Sequence, residues 1–485
     1  MINQIFEGLY PAKLWDYFDQ ICQVPRPSRH EEKIVDWLLE FAEQNGFEGK
    51  RDKIGNVLIS KPASPGMEDR KTVVLQSHVD MVGEKNNDKQ HDFFVDPIIA
   101  VRDGGWIKAD GTTLGADDGI GIAAQLALLT SDDIPHPPLE CLFTVDEETG
   151  LTGAFNLGEG FFKGRTLINL DSEDEGELFI GCAGGIDTLA YLKPDYESVP
   201  EGYTALEIKV TGLKGGHSGD DIHKGLGNAN KILVRLLRKL NRDLGFRLAG
   251  IDGGNLRNAI AREASAIGMV PSKFKEEARV ALNVLAHDVE QEFRHTDSGV
   301  KLWMGSCDQP EELFSANFQN RLLNAIYACP HGVMAWSQEI DGLVETSTNL
   351  ASVKLKEDEI LVTTSQRSSV ESARDDISNM VSSVFELAGA RVEHSDGYPG
   401  WEPNMESPVL DVSVSTYKKL FGNEPEVKAI HAGLECGLFL QKYPDMDMIS
   451  IGPTIKGAHS PDERLDIETV RKFWDHLLDI LKNLK

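Results

Sequence analysis

Short apolar runs and helix-length periods alternate through the first third of the chain. Trp15, Phe18, Ile21 and Cys22 recur at helical spacing after Pro11. Ile34, Trp37, Leu38 and Phe41 do so after a Pro-rich break, so the stretch to about Gly46 is predicted helical. Residues 57–59 and 73–75 read as strands, 119–129 as a helix with a small-residue start, and 139–145 and 166–170 as two further strands. Strands alternating with helices predict an α/β fold with a mostly parallel sheet flanked by helices.

The middle of the chain has another rhythm. Residues 204–210, 264–269, 279–284 and 359–364 alternate as amphipathic strands, with helical stretches at 228–240 and 319–328 between them. This predicts an inserted α+β domain. From Tyr398-Pro-Gly-Trp401 the first pattern returns, with a strand at 448–451 and a closing helix at 467–484. The expected organisation is a discontinuous domain, 1–185 and 395–485, interrupted by a domain at 186–394.

Composition narrows the function. The 485 residues carry 49 Lys and Arg against 78 Asp and Glu, a formal net charge of −29. That disfavours nucleic acid, whose phosphates demand basic surface, and an anionic membrane. No run approaches 18 apolar residues, so no membrane span is expected. The N-terminus lacks the basic-then-apolar pattern of a signal peptide. Six widely spaced cysteines without a C-x-x-C pair suit a reducing compartment, so a cytoplasmic location is expected.

The candidate chemistry lies at strand ends. Gln76-Ser-His-Val-Asp80, Leu114-Gly-Ala-Asp-Asp118, Asp146-Glu-Glu148, Leu170-Asp-Ser172 and Gly457-Ala-His-Ser460 each place a His, Asp or Glu at or just after a short apolar run or in a Gly-flanked turn. Open α/β sheets bind ligands at the carboxyl ends of their strands. His78 and Asp80 share a face of an extended segment, so one can bind metal while the other orients it. Asp117 sits in a turn tight enough to approach a cation and to bridge two. Asp118 is suited to cap the following helix. Glu147 and Glu148 diverge, giving one to metal and one to proton transfer. Three ligand carboxylates (Asp117, Glu148, Asp171) and a bridging hydroxide balance two Zn²⁺. Bound metal lowers the pKa of water from about 15.7 to near 7. Each element alone has a bland reading, for example a solvated Glu-Glu loop; their joint order is far more specific.

That order, His78-x-Asp80, Asp117, Glu147-Glu148, Asp171 and a distant His459, resembles the M20 family of di-zinc metallopeptidases. Longer stretches are similar to its aminoacyl-histidine dipeptidase branch (peptidase D, or bacterial carnosinase type). They include Val73-Val-Leu-Gln-Ser-His-Val-Asp80, Thr113-Leu-Gly-Ala-Asp-Asp-Gly-Ile-Gly121, Leu213-Lys-Gly-Gly-His-Ser-Gly219 and His431-Ala-Gly-Leu-Glu-Cys-Gly437. The resemblance runs from about residue 10 to the C-terminus.

The resemblance implies roles that spacing could not fix. His78 and Asp171 would hold one zinc, Glu148 and His459 the other, and Asp117 would bridge them. Asp80 would orient His78, and Glu147 would be the general base. The inserted domain would be a lid whose His217 stabilises the tetrahedral oxyanion. Asn258, Arg367 and the backbone at Gly433 would receive the substrate carboxylate, for which Arg offers a matching fork. The implied cofactors are two Zn²⁺ per subunit, with Co²⁺ or Mn²⁺ as substitutes. The implied activity is hydrolysis of Xaa-His dipeptides, β-alanyl-histidine included, by metal-activated hydroxide. The resemblance allows a homodimer through the lid, and leaves open whether His217 serves its own chain or a partner. An N-acyl amino-acid deacylase and a catalytically silent metal-binding scaffold are the competing readings.

Overall fold

The computed structural model describes residues 4–86 and 88–485. It divides into two compact units. One comprises the chain up to Gly181 with Pro403–Ala429 and Leu434–Lys485; the other comprises Cys182–Glu402 with Ile430–Gly433. The second unit therefore takes in the Tyr398–Trp401 segment and a short loop near Gly433, both of which follow the break expected at 394.

The first unit is built on an eight-stranded mixed sheet. Its order is Glu48–Arg51, Val57–Lys61, Leu139–Thr144, Val73–His78, Thr166–Asn169, Asp447–Ser450, Glu177–Cys182 and Glu426–Ile430. The four central strands run parallel. The pairs flanking them that carry a defined register run antiparallel. The parallel strands Val73–His78 and Leu139–Thr144 are buried along their whole length, as sheets covered on both faces require. Their register sets His78 opposite Thr144 and Gln76 opposite Asn169, so three ligand-bearing loops leave the sheet side by side. The helix expected at 119–129 spans Ala116–Leu129 and is buried on nearly every side. The helix Ala12–Cys22 buries Trp15, Phe18 and Ile21, as its spacing predicts. The return segment inserts Asp447–Ser450 into the sheet interior, which makes this unit discontinuous.

The second unit is a nine-stranded sheet whose paired strands are antiparallel. Ala229–Leu244, Lys275–Glu292, Ala316–Ala328 and Glu371–Leu387 share one apolar core with it. One expectation fails here. Residues 279–284 lie within the helix Lys275–Glu292 and are not a strand. Val280 and Val284, which supplied the apparent alternation, are exposed at 61% and 54%. The helix buries Ala278, Leu282, Leu285 and Val289 at three- and four-residue spacing, a period visible only over a longer window.

The closing helix Ile467–Asn483 carries a buried histidine with a consequence for acid stability. His476 donates from Nε2 to the Ser413 carbonyl at 2.9 Å and meets the Tyr417 ring edge-on. Burial lowers its pKa to about 4. The unfolded imidazole takes up a proton near pH 6.5 and the folded one does not, so its contribution is present above 6.5 and is lost as pH falls toward 4. A tenfold difference in proton affinity between the two states corresponds to about 1.4 kcal/mol. Denaturant titration of the parent and of His476→Gln is expected to show the parent losing about 2 kcal/mol more than the variant between pH 7.5 and 5. A difference that does not change with pH would contradict this.

Candidate active site

All seven residues expected at the metal centre converge in the first unit. His78 ends its strand, Glu147 and Glu148 open the turn after Thr144, and Asp171 follows Asn169 by two residues. Asp117 lies at the start of the helix Ala116–Leu129, where Asp117 and Asp118 have non-helical torsions. His459 comes from the return segment, with a positive φ of 61°.

Asp117 is the centre of the cluster. Its Oδ1 lies 2.9 Å from His78 Nε2 and its Oδ2 lies 3.1 Å from His459 Nε2. Asp171 Oδ1 approaches His78 Nε2 at 3.3 Å, and Glu148 Oε2 approaches His459 Nε2 at 2.9 Å. The acids thus fall into two sets, each around one imidazole, with Asp117 common to both. Asp118 does not face the histidines in these pairs; its Oδ1 accepts from the Gly121 amide at 3.1 Å, the local role expected of a capping residue.

Asp80 works from behind. Its Oδ1 lies 3.4 Å from His78 Nδ1 and accepts the Glu147 amide at 3.0 Å, while Oδ2 accepts the Glu148 amide at 3.3 Å. His78 Nδ1 also donates to the Asp80 main-chain carbonyl at 3.1 Å, so Asp80 orients the imidazole through its carbonyl and carboxylate and the Glu-Glu turn through its carboxylate. A neighbouring buried acidic group, Glu31 with Asp146, has a similar structural task. Glu31 accepts the Arg29 and Asp146 amides, and Asp146 accepts the Thr149 and Thr152 hydroxyls. These bonds hold the turn at Asp146, whose φ is +50°.

The electrostatics are those of a cation site. Burial, reinforced by Asp171, Glu435 and Glu148, holds the Glu147 carboxyl well above the usual carboxylate range. Burial pushes Asp171 up to about 7. Hydrogen bonds to Asp117 and Glu148 raise His459 to about 11. Buried like charges at this density need positive charge among them. The donor chemistry, two imidazole nitrogens with three carboxylates, is what zinc and similar divalent ions accept. Glu148 Oε1 is buried and, among the described residues, no hydrogen-bond donor faces it, as with a cation ligand. The residues present fit divalent metal.

The other four expected residues lie together in the second unit. His217 pairs with Ala259 in an isolated bridge, and the Asn258 carbonyl accepts the Ser218 amide at 2.8 Å. His217 Nδ1 is 3.1 Å from Asp220 Oδ2. Arg367 is buried in the strand Glu359–Ser368 and donates from Nη1 to the Tyr398 hydroxyl at 3.0 Å; its Nε has no hydrogen-bond partner among the described residues. Gly433 serves a packing purpose, because a Cβ there would lie 2.8 Å from the Tyr398 ring. Its glycine is explained by that ring, and a close backbone approach to ligand is not required by it.

Three further buried residues around the centre are not picked out by the sequence pattern. Glu435 accepts from Gln76 Nε2 and the Thr144 hydroxyl, both at 2.7 Å, and Gln76 accepts from Asn169 Nδ2 at 2.6 Å. This network ties the three strand ends together. Arg26 and Glu463 bind the loops that carry Asp80 and Asp117. Glu435 lies in the quoted His431–Gly437 motif and Glu463 follows His459 by four residues, so proximity to a motif was the available signal.

Comparison with known proteins identifies the family. The model of peptidase family M20/M25/M40 matches residues 74–483. The cytosol non-specific dipeptidase of Escherichia coli (strain K12) is 45% identical over 476 residues, 98% of each chain. The crystal structure of aminoacylhistidine dipeptidase from Vibrio alginolyticus superposes with a TM-score of 0.91 at 44% identity, covering 99% of this chain and 98% of that one. A tripeptidase from Staphylococcus aureus shares the fold at 16% identity and a TM-score of 0.57, over 98% of this chain and 99% of that one. With a family match over most of its length and near full-length relatives of this identity, the chain belongs to peptidase family M20/M25/M40 and is a metallopeptidase.

Proposed function

We propose that the chain is a two-zinc dipeptidase that hydrolyses Xaa-His dipeptides, β-alanyl-histidine among them. The observation that carries this reading is Asp117, whose two oxygens face two different imidazoles. His78, Asp171 and Asp117 would hold one ion, and His459, Glu148 and Asp117 the other. Divalent ions there supply Lewis acidity toward the scissile carbonyl and a lower pKa for water.

The chain's own side chains do the rest. Glu147 takes the proton of the attacking water and returns it to the leaving amine. Asp80 keeps the Glu147 amide and His78 in place during both transfers. His217 donates to the tetrahedral oxyanion, an interaction made mainly in the transition state. Arg367, held by Tyr398, pairs with the free carboxylate one residue past the scissile bond, with Asn258 and the backbone at Gly433 assisting. We place the protein in the cytoplasm, on the name of the Escherichia coli relative and on six widely spaced cysteines without a C-x-x-C pair.

Substrate choice tests this reading. The names of the two near relatives pull apart, one non-specific and one aminoacylhistidine. A panel of Xaa-His, Xaa-Leu, tripeptide, C-terminally amidated and N-acetyl substrates separates the cases. Xaa-His dipeptides are expected to be cleaved, and tripeptides and amides to be poor substrates. Arg367→Ala is expected to lose about 10²-fold or more in kcat/KM, because it leaves the substrate carboxylate unpaired. Equal rates on dipeptides and their amides would refute the carboxylate clamp. Equal rates on Xaa-His and Xaa-Leu would widen the specificity, and preference for N-acetyl substrates would make the protein a deacylase.

A further inference from the structure

Two oppositely charged side chains in the first unit take no part in the chemistry above, yet both are buried. Arg26 is 3% exposed and Glu463 is 2% exposed. Both bind main chain. Arg26 donates from Nη1 to the carbonyls of Val79 (2.9 Å) and Asp80 (2.8 Å), and from Nη2 to the carbonyl of Gly115 (2.5 Å). Glu463 accepts the successive amides of Leu114 (2.7 Å) and Gly115 (3.0 Å) on Oε2, and of Ala116 (2.8 Å) and Asp117 (3.4 Å) on Oε1.

These bonds join three segments, each of which carries a residue of the metal centre. Arg26 ties the end of the His78–Asp80 segment to the loop before Asp117. Glu463 ties the same loop to the return segment, four residues beyond His459. The Leu114–Asp117 loop is thus gripped through its carbonyl side by a cation and through its amide side by an anion. The local sequence makes room for this grip. A Cβ on Gly115 or on Gly119 would lie 2.7 Å from Arg26 Nη2, so both glycines of Gly-Ala-Asp-Asp-Gly leave space for the guanidinium.

We propose that Arg26 and Glu463 are the positioning residues of the metal centre, fixing the direction of the two Asp117 oxygens so that metal affinity and coordination geometry depend on this pair. The inference rests on the two-metal reading above. A carboxylate is suited to the task because it offers acceptors only, and four amide donors face it. Glutamine presents an amide donor to that same set, and at least one N–H there loses its acceptor. Lysine at position 26 keeps the charge but lacks the planar fork that reaches three carbonyls. Residues that orient metal ligands typically alter metal affinity by about 10–100-fold when removed.

The test uses the full-length parent with Glu463→Gln and Arg26→Lys. For each, Zn²⁺ affinity is measured by competition with a chromophoric chelator, and the absorption spectrum of the Co²⁺-loaded protein is recorded. Steady-state kinetics on a dipeptide and the thermal midpoint of the metal-free protein complete the set. The expected result is Zn²⁺ binding weakened about 10–100-fold in at least one subsite, a changed Co²⁺ spectrum, and a fall in kcat with KM little altered. Retention of the parent's affinity and spectrum, with only the thermal midpoint lowered, would reduce the pair to a structural clamp and overturn the proposal. Should Glu463→Gln fail to fold, Arg26→Lys decides by the same readouts. A parent that binds no metal would instead refute the two-metal reading, so the two failures are distinct.

Discussion

Glu147→Gln is expected to keep its full metal content and to lose turnover by about 10²–10⁴-fold, with the double duty of the base placing the loss toward the upper end. The argument is one of position. Asp117, Glu148 and Asp171 each lie against an imidazole nitrogen. No such imidazole pair involves Glu147 among the described residues, and burial among acids holds its carboxyl well above the usual carboxylate range. Its neighbour Glu148 reaches His459 instead. The Asp80 bonds to both amides fix which way each side chain leaves the turn. Glutamine keeps the shape and removes the proton acceptor. Metal analysis and kcat of the same preparation check this. A variant that loses one metal at unchanged fold would show that Glu147 and Glu148 have exchanged roles.

Much of the centre was legible because of how parallel sheets are written. A short apolar strand followed at once by His, Asp or Glu is read directly, and parallel register then brings His78, Glu147, Glu148 and Asp171 together without further information. Asp117 was legible from the glycines around it. Their reason was not, since it lies in Arg26, some 90 residues away in sequence. Arg26, Glu435 and Glu463 resemble any surface charge in a linear reading. Their burial is a product of tertiary contacts that no local pattern encodes. The misread strand at 279–284 has a related cause. Two exposed valines on a helix mimic alternation over six residues, and only the longer period of Ala278, Leu282, Leu285 and Val289 corrects it.

Metal removal is expected to have the other large effect. The buried acids around Asp117 repel one another, so the metal-free protein is expected to be inactive and less stable. An ion that binds only the folded state adds about 4 kcal/mol when present at a thousand times its dissociation constant. Zinc should therefore raise the thermal midpoint as well as restore activity. The shared position of Asp117 adds a sharper expectation, that its replacement by Ala weakens both subsites together, whereas His459→Ala weakens chiefly one. The central claim is that Asp117 joins two cation subsites in one catalytic centre. It is tested most directly by titrating exhaustively chelated protein with Zn²⁺ while following bound metal and hydrolysis of a dipeptide. The account expects no turnover without metal and full turnover with two ions bound per chain. Full turnover by protein free of metal, or saturation of both signals at a single ion, would contradict it.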